Sequence, residues 1–256
     1  MRVALTGSHG FLGLHLRRAW PEAICLDRRA PVQLHLDYFC PKLDVDVIVH
    51  AAAHADISHN WASVDQRRNL YRDNVTALVN VLEANRGTPV VFMSTAAIHM
   101  GAHLSPYAAT KAFGESLVRS YCDAANVGSW TIRAVSFVGE GYAHGHIADF
   151  VRTRPKVALD NGEFRKPFAH VLDVVDAIKA AASNAADGFT GMWTVAGDRW
   201  GWKDTARVMG LDIAPGTASQ GFIGDPVGLD VHSDWPCRYS VADGVRDALN
   251  SLGWTR

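Results

Sequence analysis

Short apolar runs alternate along the chain with longer stretches of helical period, the pattern of βαβ units around a buried parallel sheet. Strands are expected at 3–5, 23–26, 34–36, 45–49, 90–93 and 130–134. Val75, Leu78, Val79 and Leu82 share one face and predict a helix over 72–84, as Phe113, Leu117 and Val118 do over 107–124. After Ala134 the alternation loosens, and Gly139, Gly141, Gly145, Pro155 and Gly162 mark a segment rich in loop. A helix at 171–182 and a strand at 192–196 return the chain to the sheet, whereas Trp200, Trp202, Pro215, Pro226 and Trp235 suit a separate lobe. The expected organisation is an α/β domain over 1–136 and 167–197, with a small discontinuous lobe over 137–166 and 198–256.

Composition narrows the class. With 256 residues, 48% of them hydrophobic and 20% charged, the chain can bury a sizeable core, which excludes disorder as its main state. A net charge of -1 leaves no basic surplus for a phosphate backbone, so no nucleic-acid partner is expected. Met1 and Arg2 run straight into Val3, Ala4 and Leu5, leaving no room for a leader, and no apolar run approaches membrane-spanning length. Cys25, Cys40, Cys122 and Cys237 stand far apart with no CxxC, the usage of reduced thiols. A cytoplasmic enzyme is the expectation.

Gly7, Gly10 and Gly13 follow the first strand and open an apolar stretch holding Phe11, Leu12, Leu14 and Leu16. Strand, tight turn and helix in this order are what a Rossmann-type, doubly wound sheet uses to bring a pyrophosphate onto a helix N-terminus. Asp27 ends the second strand, twenty positions after Gly7, where a carboxylate can take both ribose hydroxyls of an adenosine. That favours NAD. Arg28 and Arg29 follow at once and can hold a 2′-phosphate instead, which leaves NADP open. Asp37, with Tyr38 beside it, follows the third expected strand and can meet the adenine edge, although an acidic residue there also suits a solvated turn.

Tyr107 and Lys111 lie four residues apart, so on a helix they share one face. A phenol is a poor base at neutral pH, and a nearby ammonium favours its ionised form. Ser94 and Thr95 end the preceding strand at the carboxyl edge, where either hydroxyl can orient a substrate alcohol. Of the histidines, His50, His54 and His59, and also His144 and His146, invite a metal reading, but no carboxylate or cysteine completes a set, and none is expected. His54, His99 and His144 suit a substrate rim or plain exposure.

Thr6-Gly7-Ser8-His9-Gly10-Phe11-Leu12-Gly13, His50-Ala51-Ala52-Ala53, Asn74, Ser94-Thr95 and Tyr107-x-x-x-Lys111 together resemble the extended short-chain dehydrogenase/reductases, in the nucleotide-sugar epimerase and dehydratase branch. The likeness continues through Phe168-Ala169-His170-Val171-x-Asp173-Val174, the run from Trp193 to Gly197, and a closing Leu252-Gly253-Trp254. It implies that Thr95, Tyr107 and Lys111 are catalytic, that Asn74 supports the lysine region, and that Phe11, Leu12 and Ala51 to Ala53 line the cofactor. It further implies a sugar or nucleotide-sugar substrate met by Ser94, Ser136, Arg165 and Lys166, and a homodimer.

Departures from that branch sharpen the expectation. Its dehydratases carry an acid pair after the triad threonine, where Ala96 and Ala97 stand here, so no carboxyl is placed for elimination. Ser136 replaces a usual asparagine, and the stretch from Lys111 to His170 reads short. The leading expectation is a C4 epimerase working by transient hydride transfer. A reductase or dehydrogenase with net cofactor turnover is the alternative, and a non-catalytic dinucleotide sensor is disfavoured by the intact Thr95, Tyr107 and Lys111.

Overall fold

A computed structural model describes residues 1–29, 35–55, 63–101, 105–143, 145–153, 157–160, 165–215 and 231–254. His59, Trp61, His144, Pro155, Gly162, Pro226 and the Leu34 end of the expected third strand lie outside them. The chain runs through β1 (Val3–Thr6), α1 (Phe11–Ala19), β2 (Ile24–Leu26), β3 (Val47–His50), α2 (Val64–Tyr71), a π-helical segment (Arg72–Thr76), α3 (Ala77–Ala84), β4 (Val90–Thr95), a 3₁₀ segment (Ala96–Met100), α4 (Pro106–Ala125) and β5 (Ser129–Ala134). It continues through β6 (Ser136–Val138), α5 (Gly145–Thr153), β7 (Val157–Asp160), β8 (Lys166–His170), α6 (Val171–Ala186), β9 (Thr190–Val195), β10 (Arg199–Trp200), α7 (Trp202–Met209), β11 (Asp212–Pro215) and α8 (Val241–Ser251). Two compact units divide it: Met1–Ala134 with Val175–Thr194, and Val135–Val174 with Val195–Arg256.

The first unit carries a six-stranded sheet in the order β2-β1-β3-β4-β5-β9. Its pairings from β2 through β5 are all parallel. β1, β3 and β4 are buried at every position, which is why they read as unbroken apolar runs rather than as alternation. Helix α4 is delimited by its sequence: the Ser105 hydroxyl accepts from the Ala108 N–H, Pro106 opens the first turn, and Asn126 closes the helix in the left-handed conformation.

Two expectations are corrected here. The strand expected at 34–36 is absent from the sheet among the described residues: His35 and Leu36 enter a turn closed by the Tyr38 and Phe39 N–H groups on the His35 carbonyl, at 2.9 and 3.1 Å. Leu36 buries with Cys40 and Leu43 against Ala4, Ile48 and Val81. Its apolarity therefore reports a covered flank of the core, not a paired strand. The helix read over 72–84 begins earlier, at Val64, where the Ser63 hydroxyl accepts from the Gln66 N–H at 3.1 Å. Of α2 only Leu70 is buried, so hydrophobic period carried no signal for it.

The second unit has its own core, built on Val138, Ile147, Phe168, Met209, Val241, Val245, Ala248 and Leu249. Around it β8 pairs in parallel with β6 and antiparallel with β10, while β7 and β11 form a parallel pair. Buried Asp173 accepts the N–H groups of Arg238 and Tyr239 at 2.7 and 3.3 Å, fixing the approach to α8.

Candidate active site

The turn after β1 is closed by Gly7 N–H on the Leu26 carbonyl at 3.1 Å and Gly10 N–H on the Gly7 carbonyl at 3.0 Å. Gly7 has φ +70°, and a Cβ there would stand 2.7 Å from the Ala52 backbone; one on Gly13 would stand 2.1 Å from the Gly7 carbonyl oxygen. Protein packing alone thus demands glycine at both positions. Gly10 differs: the nearest protein atom to a Cβ there is the same oxygen at 3.3 Å, followed by the Arg29 guanidinium at 3.9 Å. Gly10 is also the N-cap of α1, where it makes no side-chain cap, and the first turn holds no acidic residue. A helix N-terminus without a side-chain cap and a cradle that a side chain would fill fit a dinucleotide diphosphate.

Asp27, 9% exposed, accepts from the His9 N–H at 3.1 Å and the Arg29 N–H at 2.8 Å. Burial alone would push its carboxyl up, but those N–H groups and the charges of Arg29 and His9 outweigh it and hold the pKa below the usual range. It is ionised, the state in which a carboxylate can accept from ribose hydroxyls. Asp37 lies in the turn, its Oδ2 3.2 Å from Arg72 Nε, while its buried Oδ1 has no hydrogen-bond partner. That oxygen has His35 Nδ1 at 4.0 Å but no hydrogen bond, and such an acceptor suits the amino group of an adenine. Tyr38 is 80% exposed, and Leu12 is buried. Ala51 and Ala52 are half-buried and Ala53 is exposed at the carboxyl end of β3; the Ala52 N–H donates to Thr6 Oγ1 at 3.1 Å.

Arg28 and Arg29 are both engaged by carboxylates. Arg29 Nε stands 3.5 Å from Asp27, and Arg28 Nη2 lies 2.5 Å from Asp73 Oδ1, which Arg72 Nε also meets at 3.0 Å. Asp73 and its neighbour Asn74 belong to the π-helical segment. Asn74 Oδ1 accepts the His54 N–H at 2.7 Å, and its Nδ2 donates to the His54 carbonyl and to Thr110 Oγ1, both at 3.1 Å. Thr110 in turn donates to the Tyr107 carbonyl at 2.8 Å, so Asn74 ties the loop after β3 to the first turn of α4.

Tyr107, Lys111 and Thr95 converge where α4 passes the carboxyl end of β4, all nearly or wholly buried. Burial pushes the Tyr107 phenol up to about 12, and the neighbouring Thr95 side chain pulls against it. Lys111 Nζ donates to the Met93 carbonyl at 2.7 Å and sits 4.9 Å from the centre of the Phe92 ring. Burial pushes its ammonium down to about 7, with Glu115 acting the other way. Beneath them His50 stacks on Phe92 and shares a 3.1 Å hydrogen bond with Thr6 Oγ1; burial first, then the Lys111 charge, pushes it down to about 3 and keeps it neutral.

Ser94 faces a different group from the one its strand-end position suggests. Its hydroxyl donates to Glu115 Oε1 at 2.5 Å, and Glu115 also takes Arg133 at 2.9 and 2.6 Å, in a half-buried link of β4, α4 and β5. Thr95 Oγ1 accepts from the Ala97 N–H at 3.2 Å, capping the 3₁₀ segment that holds Ala96 and Ala97. Ser136, Arg165 and Lys166 belong to the second unit, where Arg165 Nη2 pairs with Asp204 at 2.5 Å and Lys166 Nζ lies 5.2 Å from the Phe168 ring centre. Asp73 and Glu115, which tie Arg28 and the Ser94–Arg133 pair into this region, were passed over in the sequence reading, and Thr6 was read only as part of the glycine motif. Glu115 had a signal, because Tyr107, Lys111 and Glu115 repeat at four-residue spacing on one helix face. Among the described residues no group of three His, Cys, Asp or Glu side chains converges as a metal site, and no helix is long and apolar enough to cross a membrane.

A glycine cradle on a parallel sheet, a strand-end carboxylate and a buried Thr-Tyr-Lys cluster define a dinucleotide-dependent enzyme of hydride-transfer type. Residues 3–196 match the NAD-dependent epimerase/dehydratase family, and the chain belongs to that family, with NAD as its cofactor. Its fold is similar to solved structures across 99% of both chains in each case. These include a UDP-galactose 4-epimerase (24% identity, TM-score 0.78), MoeE5 in complex with UDP-glucuronic acid and NAD (23%, 0.79), and the Thermus thermophilus UDP-glucose 4-epimerase in complex with NAD (21%, 0.72). No curated protein matches the chain.

Proposed function

We propose that the protein is a sugar C4 epimerase acting on a nucleotide sugar or a less decorated sugar. The observation that carries this reading is the buried Thr95-Tyr107 pair with Lys111 behind it, followed on the chain by Ala96 and Ala97 in place of any carboxyl. When bound, NAD supplies a hydride acceptor that returns what it takes. The chain does the rest. The N-terminus of α1 receives the diphosphate, Asp27 the ribose hydroxyls, and Asp37 Oδ1 the adenine edge. Tyr107 takes the proton from the C4 hydroxyl while Thr95 holds that oxygen. A phenol pushed up to about 12 is no base at neutral pH, so nearby positive charge, from the Lys111 ammonium and a nicotinamide ring, is what makes Tyr107 one. Without an acid group beside Thr95 the intermediate ketone has no elimination path, and re-delivery of hydride to its other face gives the epimer. The solved neighbours named for 4-epimerases support the same choice. Ser136, Arg165 and Lys166 are assigned to substrate, with Arg165 shared with Asp204.

The test is incubation with a panel of nucleotide sugars and free sugars, following epimer and NADH together. Epimer without net NADH is expected. Steady cofactor turnover replaces the epimerase with a dehydrogenase, and silence over the whole panel overturns the sugar assignment.

A further inference from the structure

We propose that Asp73 is a specificity-determining residue: by tethering Arg28 to the π-helical segment, it denies a 2′-phosphate its guanidinium and keeps the site selective for NAD over NADP. The proposal rests on Asp27 as the ribose group. Arg28 follows that carboxylate directly, the place from which an arginine meets a 2′-phosphate in sites of this kind. A phosphate dianion brought against the ionised Asp27 is repelled unless a freed guanidinium neutralises it.

In this protein the guanidinium is not free. Arg28 Nη2 lies 2.5 Å from Asp73 Oδ1, a carboxylate whose side chain is only 12% exposed. Arg72 Nε, 3.0 Å from the same oxygen, also reaches Asp37 Oδ2 at 3.2 Å, and His54 Nδ1 stands 3.7 Å from Asp73 Oδ2. Asp73 is therefore fixed from several sides and cannot follow Arg28 toward a ligand. Asp73 and Asn74, consecutive on the π-helical segment, serve two tasks: Asn74 meets His54 and Thr110, and Asp73 meets Arg28. Arg29, with its Nε 3.5 Å from Asp27 and its side chain 66% exposed, is common to the wild type and every variant below and so drops out of the comparison.

Calorimetric titration with NAD and with NADP tests the tether on the wild type, Asp73→Asn, Asp73→Glu and the double variant Asp73→Asn/Arg28→Leu. For Asp73→Asn, NADP binding is expected to tighten by about tenfold or more, the worth of a hydrogen-bonded charge, with NAD binding held within about threefold. Asp73→Glu keeps the carboxylate and holds the wild-type ratio, and the double variant loses the gain. An unchanged ratio in Asp73→Asn overturns the proposal. So does a gain that persists in the double variant, because loss of negative charge alone would then explain it. Asp73→Ser supplies the same reading if thermal unfolding shows that the amide weakens the helix. A wild type that prefers NADP overturns the Asp27 reading and the tether with it, whereas a wild type selective for NAD with unshifted variants overturns the tether alone.

Discussion

Lys111 and Met93 are joined by a 2.7 Å hydrogen bond from a buried ammonium to a carbonyl of β4, with the Phe92 ring face beneath the same nitrogen. A charge in that position is held by one backbone acceptor and a π-face rather than by a paired carboxylate. Burial consequently wins, and the group titrates near neutrality. Its electrostatic service to Tyr107 is available only while it keeps its proton.

The pH dependence of stability follows. Lys111 is lowered from 10.5 to about 7, so between these values the unfolded chain binds a proton that the folded chain does not, and stability gains from this group as pH rises from about 7 toward 10.5. Tyr107 is raised from 10.0 to about 12, so above 10 the unfolded chain loses its proton first and stability falls. Subtracting the urea-unfolding free energy of Lys111→Met from that of the wild type isolates the first effect. A difference that stays flat between pH 7 and 10 shows that the ammonium is not desolvated as the geometry requires.

Tyr107→Phe removes the proton acceptor and keeps the ring. Turnover should fall by about 10² to 10⁴ or more, with NAD affinity little changed. Near-normal turnover of the variant on the native substrate removes Tyr107 from the chemistry and passes the proton to another group.

Much of the candidate site's placement was legible because its residues are set at short range. The glycines, Asp27 and the Tyr107-Lys111 spacing sit on elements whose apolar faces announce them. Asp73 and Glu115 were not legible in the same way, because their partners Arg28, Ser94 and Arg133 are distant in sequence and charge carries no period that names a partner. The polar face of α2 hid that helix, and buried Leu36 mimicked a strand. Over 198–256 the reading assigned a lobe without naming its elements, although Val241, Val245, Ala248 and Leu249 behind a Ser240 cap, with Asp243 following, carry a plain helical signature that is now α8.

Glu115→Gln weakens the Ser94 and Arg133 link while keeping its shape. A half-buried guanidinium then faces an uncharged partner, and urea unfolding should show a loss of about 2 kcal/mol, below the value for a fully buried pair because both side chains keep some solvent. Loss of the Glu115 charge also removes what raises Lys111, so the Lys111 titration should move further down. Unaltered stability would mean that Ser94 and Arg133 find water as good a partner as the carboxylate.

Gly10→Ala and Gly13→Ala separate the cradle's packing from its ligand. A methyl at Gly13 falls 2.1 Å from the Gly7 carbonyl oxygen and 2.6 Å from the Ser8 backbone, where only a backbone shift can relieve it, so this variant should lose about 3 kcal/mol or fail to fold without any cofactor present. At Gly10 the same methyl meets its nearest protein atom at 3.3 Å, with φ at -75° and no strain for an L residue. Unfolding of Gly10→Ala in the absence of cofactor should therefore stay within about 1 kcal/mol of wild type, the range of an N-cap glycine exchange. Its NAD affinity should nonetheless drop by about tenfold or more, because the methyl occupies the approach to the N–H groups of α1 that the diphosphate needs. Calorimetry on the two proteins reads both halves of the argument. Wild-type NAD affinity in Gly10→Ala would place the diphosphate somewhere other than this helix N-terminus, whereas equal instability in both variants would show that the turn, and not the ligand, requires all three glycines.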